Sequence, residues 1–312
     1  MVCWTRSRSS GCMSGGAPTD SRSSSTCRTR GCRRRRGHWT GRRRAQVSSG
    51  WSRVEQSERS GGSQVRLQGK VAVITGGARG IGGATARQFA ADGARVAIGD
   101  VLVEEGEATA TAIRAEGGQA LFVRTDVTSE AECAALMAAA AQAYGRLDVL
   151  VCCAGVLKGA FLQPEELDAE TFANVIDINV KGTYLAVRTA TPWLRQAGKG
   201  VVLLLASGAG VRGPSSSLAY GTSKGGVHGL AMTLEQRLAP AGIRVHDVCP
   251  GAIATRMKLD NVADGARHAG GSVEDAIAQA EVTLGDPIGV ARILAFLASD
   301  DADFVRGTIH TR

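Results

Sequence analysis

The chain has 312 residues, 44% of them hydrophobic, with a formal net charge of +8. That is enough for one large domain or two small ones with a real core, and no stretch approaches the roughly 20 apolar residues of a membrane span. The charge is uneven: residues 1–65 hold 14 arginines, no lysine and three acids (Asp20, Glu55, Glu58), a local balance of +11, while the remainder carries 23 basic and 26 acidic residues. The basic excess therefore belongs to the leader and not to the body.

Residues 1–65 are rich in Arg, Ser and Gly and have no periodicity, so they cannot bury enough apolar surface to offset the entropy of ordering, and disorder is expected. The leader reads best as a start codon assigned too far upstream, because Trp4, Trp39 and Trp51 are three of the chain's four tryptophans, with Val65 as a candidate true start. An organelle transit peptide and a phosphate-binding nucleic-acid arm are the competing readings. Cysteine divides likewise, four in the leader and Cys133, Cys152, Cys153 and Cys249 in the body. Neither set has the paired spacing of a zinc site, which points to a reducing, cytoplasmic compartment and no metal. The body cysteines read as small core residues, with a reactive-thiol role for the adjacent pair as the lesser reading.

In the body, residues 70–75 form an apolar run of strand type, followed by Thr75-Gly-Gly-Ala-Arg-Gly-Ile-Gly82 and a helical stretch at 84–91. A strand, a glycine turn and a helix N-terminus make a cradle for a pyrophosphate. The second strand, 94–99, ends at Asp100, eighteen residues after Gly82 and near the ~20 expected for the acid that holds an adenosine ribose. That carboxylate would favour NAD over NADP by repelling a 2′-phosphate. Arg79 in the glycine loop is a counter-signal, and a helix-capping role for Asp100 is the plainer alternative.

Helices are expected at 104–116 and at 129–144, the latter capped by Ser129, with strands at 120–124 and 147–151. Asp126-Val127 follows the third strand, and Cys152-Cys-Ala-Gly155 the fourth. A long helical stretch at 168–193 contains Asn179 between apolar neighbours, which suits a buried, paired side chain. A fifth strand, 201–205, would deliver Ser207 to the sheet edge. The helix that follows, running to residue 238, places Tyr220 and Lys224 four apart on one face. There a lysine cation would favour phenolate and let the tyrosine move a proton near neutral pH. The sixth strand, 243–248, ends in Cys249-Pro-Gly-Ala-Ile-Ala-Thr255. Residues 256–284 read as a polar, Gly-rich, irregular lid with one short helix near 273–282. A helix at 287–299 and a last strand at 307–310 complete the chain. The alternation of strands and helices predicts an α/β fold with a doubly wound parallel sheet of Rossmann type, a single domain at 66–312 behind the disordered extension.

Taken together, residues 66–310 resemble the short-chain dehydrogenase/reductase family in its ~250-residue form. The resemblance rests on Thr75-Gly-x-x-x-Gly-Ile-Gly82, Asp126-Val127, Ala154-Gly155, Asn179-Val-x-Gly182, Ser207, Tyr220-x-x-x-Lys224 and Pro250-Gly-x-x-x-Thr255, in that order. It implies Tyr220 as general acid/base, Lys224 as its electrostatic partner and ribose ligand, Ser207 as holder of the substrate oxygen, and Asn179 as anchor of a proton-relay water. It places the dinucleotide on Gly76, Arg79, Gly80, Ile81, Gly82, Asp100, Asp126, Val127, Ala154, Gly155, Pro250, Gly251, Ile253 and Thr255, together with Tyr220 and Lys224. Cys152-Cys153 stands where the family usually has Asn-Asn. The expected activity is NAD-dependent interconversion of a secondary alcohol and a ketone. An NADPH-dependent carbonyl or 3-oxoacyl reductase and a catalytically silent dinucleotide-binding regulator are the alternatives. A homo-oligomer, dimer or tetramer, is implied through the long helices around 168–193 and 220–238, and the small-molecule substrate is not legible beyond a weak apolar hint from Met257, Leu259 and Val262.

Overall fold

The computed structural model describes residues 66–311. The readings of the leader, as extension, transit peptide or nucleic-acid arm, lie outside the described residues. Seven parallel strands form one sheet: β1 (Val71–Thr75), β2 (Arg95–Asp100), β3 (Gln119–Arg124), β4 (Val149–Cys152), β5 (Gly200–Leu205), β6 (Ile243–Cys249) and β7 (Ile309–His310), in the spatial order β3-β2-β1-β4-β5-β6-β7. The order reverses between β1 and β4, and in such sheets the crevice at the strands' carboxyl ends at that point is where ligands bind.

The strands read as near-continuous apolar runs because both faces are covered. In β1, Ala72 and Ile74 enter one core cluster and Val73 the other; in β5, Val201, Leu203 and Leu205 face one way and Val202 and Leu204 the opposite way. The first cluster lies under α1 (Gly80–Ala91), α2 (Val103–Ala115) and α9 (Pro287–Ala298), with Phe89 fully buried in it. The second lies under α3 (Glu130–Tyr144), α5 (Gly182–Gln196) and α6 (Leu218–Leu238). This side-to-side alternation also separates the adjacent cysteines. Cys152 joins the second cluster and Cys153 packs against the first, so their side chains stand on opposite faces of the sheet.

Two elements differ from the sequence expectation. The long helix is interrupted: α4 (Ala169–Ile176), capped by Asp168, passes into a π-helical turn at Asp177–Lys181 before α5 resumes. Asn179 lies in that turn, and π-turns inside helices recur at functional sites. The segment expected to be irregular is instead two helices, α7 (Arg256–His268) and α8 (Val273–Thr283). Gly265, two aspartates and an asparagine weaken the helix signal of α7. Capping by Thr255, the Arg256–Asp260 and Arg267–Asp264 ion pairs, and burial of Asn261 and Ala263 supply what propensity lacks. Among the described residues no helix is long and apolar enough to cross a membrane, and no three His, Cys, Asp or Glu side chains are grouped to hold a metal ion.

Candidate active site

A cleft of about 880 Å³ opens at the carboxyl ends of the strands, where β1 and β4 part. Its floor is main chain. Gly76 has φ +68°, and a Cβ there would lie 2.4 Å from the Ala154 nitrogen; a Cβ on Gly82 would lie 2.1 Å from the Gly76 carbonyl oxygen. Only glycine fits at either place, so the loop, α1 and the end of β4 close together without side chains between them. α1 begins at Gly80, a turn before the expected start, with no acidic residue in its first turn and no side chain capping its amides. A free helix N-terminus over a glycine floor is an anion cradle. The fit to a nicotinamide dinucleotide is therefore good: backbone donors stand where a pyrophosphate needs them, and nothing fills the space.

Asp100, at the end of β2, lines the cleft and braces the glycine loop. Its Oδ2 accepts from the Ala78 amide at 3.0 Å and its Oδ1 from the Leu102 amide at 3.1 Å. The Thr109 hydroxyl donates to the Ala78 carbonyl from the other side at 2.7 Å. Arg79, the positive residue of the loop, pairs with Glu105 at 3.9 Å. Asp126 lines the cleft beside Val127; the amide and hydroxyl of Thr128 hold its carboxyl below the usual carboxylate range. Ile81, Gly155, Pro250, Gly251, Ile253 and Thr255 complete this half of the lining. The Thr255 side chain caps α7 by accepting from the Lys258 amide.

Ser207, Tyr220 and Lys224 meet at the other half. β5 carries Ser207 to the sheet edge, and the Ser217 hydroxyl caps α6 by accepting from the Tyr220 amide at 3.1 Å. The Tyr220 phenol and the Ser207 side chain both line the cleft. Burial pushes the Tyr220 pKa up, and the Ser207 side chain works against that rise. The expected lowering by Lys224 is therefore corrected: burial raises the Tyr220 pKa instead. Lys224 Nζ stands 5.5 Å from the Tyr220 ring centroid and donates to the Leu205 carbonyl at 2.7 Å, so desolvation of the phenol outweighs the distant cation. Burial also lowers Lys224 itself, to about 8.

Asn179 is 1% exposed and stands behind the cleft, outside its lining. Its Oδ1 accepts from the Val156 amide at 2.8 Å, and its Nδ2 donates to the Val156 carbonyl and to Ser223 Oγ, both at 2.9 Å. Ser223 Oγ donates in turn to the Tyr220 carbonyl. Asn179 thus ties the loop after β4 to the turn of α6 that holds Tyr220 and Lys224. A Cβ on Gly155 would lie 3.2 Å from Asn179 Oδ1 and 3.7 Å from Lys224 Nζ, so the two side chains converge on that glycine.

The cysteines around Lys224 are protonated core thiols. Burial pushes Cys153 up to about 12 and Cys249 up to about 11, and raises Cys152 further. A thiol at such values has almost no thiolate near neutral pH, which argues against nucleophilic reactivity.

Sequence reasoning missed the fastening of the substrate side. Phe161 adopts φ +64°, donates its amide to the Ser216 carbonyl and stacks on His268 of α7 at 5.4 Å. Ser217 Oγ donates to the Lys158 carbonyl, and Asn261 Nδ2 to Ser216 Oγ at 3.0 Å. The 156–164 loop, the 208–217 loop and α7 are joined here. Only the glycine opposite the Phe161 ring, Gly265, could have hinted at it.

The short chain dehydrogenase family model matches residues 70–265. The chain is 41% identical to cis-4-hydroxycyclohexanecarboxylate dehydrogenase of Sinomonas cyclohexanicum over 77% of its length and 93% of the relative. It is 34% identical to 3-alpha-(or 20-beta)-hydroxysteroid dehydrogenase of Mycobacterium bovis over 78% and 87%. The crystal structure of levodione reductase superposes with a TM-score of 0.73 at 31% identity, covering 78% of this chain and 96% of that one. The chain belongs to the short-chain dehydrogenase family, as an oxidoreductase that uses a nicotinamide dinucleotide and acts on CH–OH groups.

Proposed function

We propose that this protein is an NAD-dependent dehydrogenase that converts a secondary alcohol on a carbon ring to the ketone, with Tyr220 as general base and Ser207 as holder of the substrate oxygen. The observation that carries it is the meeting of Ser207 and Tyr220 in the cleft lining, where Ser207 favours the ionised phenol, with the Lys224 ammonium one helical turn away. A substrate hydroxyl placed against both would give its proton to the phenol oxygen while Ser207 donates to the oxygen left behind. A nicotinamide dinucleotide bound over the glycine loop supplies the hydride acceptor.

Burial of Tyr220 opposes ionisation, so the tyrosine needs help. The Lys224 ammonium favours phenolate, and with a pKa of about 8 it is mostly charged at neutral pH. Asn179 keeps that ammonium and the loop after β4 in register, and we assign it the anchoring of the water that returns the proton to solvent. Asp100 favours NAD: its carboxylate faces the cleft with lone pairs left for ribose hydroxyls, and Glu105 offsets the one cation of the loop, Arg79. A 2′-phosphate would meet negative charge there. The ring alcohol follows from relatives named for hydroxycyclohexane and hydroxysteroid substrates. The helices over 256–284 form the substrate lid. Exposed Phe172, Tyr184 and Met232 on α4, α5 and α6 fit a face shared with a second copy of the chain, as a homo-oligomer would require.

Initial rates on a panel of cyclohexanols and hydroxysteroids, each with NAD and with NADP, test the reading. Turnover with NAD at a kcat/KM at least about tenfold above NADP is expected, a difference of ~1.4 kcal/mol. Equal use of the two would overturn the role given to Asp100.

A further inference from the structure

Four cations line the cleft, and three are answered within the protein. Arg79 pairs with Glu105, Arg256 with Asp260 at 2.9 Å, and Lys224 donates to the Leu205 carbonyl. The fourth is Lys258, half-buried on the first turn of α7. Among the described residues its ammonium has no carboxylate, carbonyl or ring partner. The same lining includes the uncharged Val156, Leu157, Pro214, Ser216, Met257 and Asn261. Asn261 is one turn further along α7 and holds Ser216, so Lys258 stands on the wall where the two loops and α7 are fastened. The acids of the lining, Asp100 and Asp126, belong to the β2–β3 edge of the cleft.

The half-buried Lys258 side chain lays its stem on the wall, while its charge finds no counter-charge inside the protein. Such a charge is retained at a binding cleft when the ligand brings the counter-charge. An anion can reach this cleft from two sources, the pyrophosphate of the dinucleotide and an acidic group on the substrate. The pyrophosphate already has the glycine floor and the free amides of α1. On the α7 wall Arg256 is paired with Asp260, which leaves Lys258 as the cation free to take an anion from the substrate.

We propose that Lys258 is a specificity-determining residue that selects ring alcohols bearing a carboxylate, binding that carboxylate while the carbinol carbon faces Ser207 and Tyr220. This rests on the ring-alcohol reading of the same site. A matching carboxylate is present in the substrate named by the 41%-identical relative, cis-4-hydroxycyclohexanecarboxylate.

The test compares cis-4-hydroxycyclohexanecarboxylate with its neutral counterpart cis-4-methylcyclohexanol, both with NAD, in the full-length enzyme and in Lys258→Met and Lys258→Arg. The methionine keeps the length of the stem and removes the charge. Expected is a fall of about tenfold in the carboxylate-to-methyl ratio of kcat/KM in Lys258→Met, carried by KM for the carboxylate, the size usual for one charged hydrogen bond. The ratio returns to within about threefold of the unaltered enzyme in Lys258→Arg, which restores the charge. A ratio that does not move in Lys258→Met overturns the proposal. So does a rise in KM for NAD with either alcohol, which would place Lys258 on the pyrophosphate. Turnover of the methyl compound by the unaltered enzyme reports separately on the ring-alcohol reading, so failure of that reading shows as no turnover of either compound.

Discussion

On the β1–β3 side of the cleft the wall is backbone. Gly76 and Gly82 touch neighbouring main chain so closely that no side chain can intervene, and Asp100 and Thr109 pin the loop through Ala78. On the β5–β6 side the wall is side chains on three segments tied by a few hydrogen bonds and one ring stack, through Ser217, Asn261 and Phe161. The first wall suits a ligand part that is the same in every turnover, since its donors are amides that cannot be exchanged by mutation. The second suits the part that varies, because its lining can be replaced without disturbing the sheet. At the inner end of the second wall stands Lys224, a buried charge that costs stability to keep.

That cost gives the largest expected effect. Lys224→Met should lower kcat about a thousandfold, within the range for loss of acid–base assistance. The same change should leave the fold at least as stable at pH 7. The lysine pKa falls from 10.5 to about 8 on folding, so below about pH 8 the folded state carries the full penalty of a buried ammonium. Between pH 8 and 10.5 the unfolded chain binds more protons than the folded one, so stability of the unaltered enzyme rises through that window. The advantage of the methionine, on the order of 1–2 kcal/mol after loss of the hydrogen bond to Leu205, should fade over the same window. Chemical denaturation of both proteins at pH 7 and pH 10 checks this. A methionine variant much less stable at pH 7 would mean that the ammonium is not desolvated.

The backbone wall breaks differently. Gly76→Ala puts a Cβ 2.4 Å from the Ala154 nitrogen at a positive φ, so either β1 or the end of β4 must move. A drop of about 2–4 kcal/mol in stability and at least about a hundredfold weaker NAD binding, ~2.7 kcal/mol, are expected by calorimetry and fluorescence titration. Unchanged NAD affinity would show that the glycine floor does not carry the dinucleotide. The side-chain wall should give the smallest response. Asn261→Ala removes one hydrogen bond to Ser216, so KM for the alcohol should rise about fivefold while NAD affinity holds, consistent with ~1 kcal/mol. Loss of NAD binding in that variant would erase the distinction between the walls.

The same contrast explains what could be read without coordinates. The doubly wound sheet was legible because its strands are mostly apolar runs, and Gly76 and Gly82 of the first loop have a steric reason that no other residue meets. Ser207, Tyr220 and Lys224 were legible because their order and spacing among the other motifs resemble those of the family, while the four-residue helical spacing alone is common to many solvated helix faces. α7 was not, because its Asn, Asp and Gly content hides a helix that tertiary contacts sustain. The π-turn at Asp177–Lys181 was hidden for a related reason: an extra residue in a helical turn leaves the apolar pattern almost unchanged. The rise in the Tyr220 pKa depends on depth of burial and on the 5.5 Å to Lys224, neither of which a four-residue spacing contains. Phe161 and its stack on His268 join residues more than 100 apart in sequence, with no local signal at either end.

Everything proposed for the chemistry turns on the Tyr220 hydroxyl as the group that takes the alcohol's proton. Tyr220→Phe keeps the ring and removes that oxygen, so single-turnover oxidation with bound NAD isolates the step. The account predicts a rate lower by about a thousandfold or more with NAD affinity within about twofold, less than ~0.5 kcal/mol. A single-turnover rate within about tenfold of the unaltered enzyme, a loss under ~1.4 kcal/mol, would contradict it.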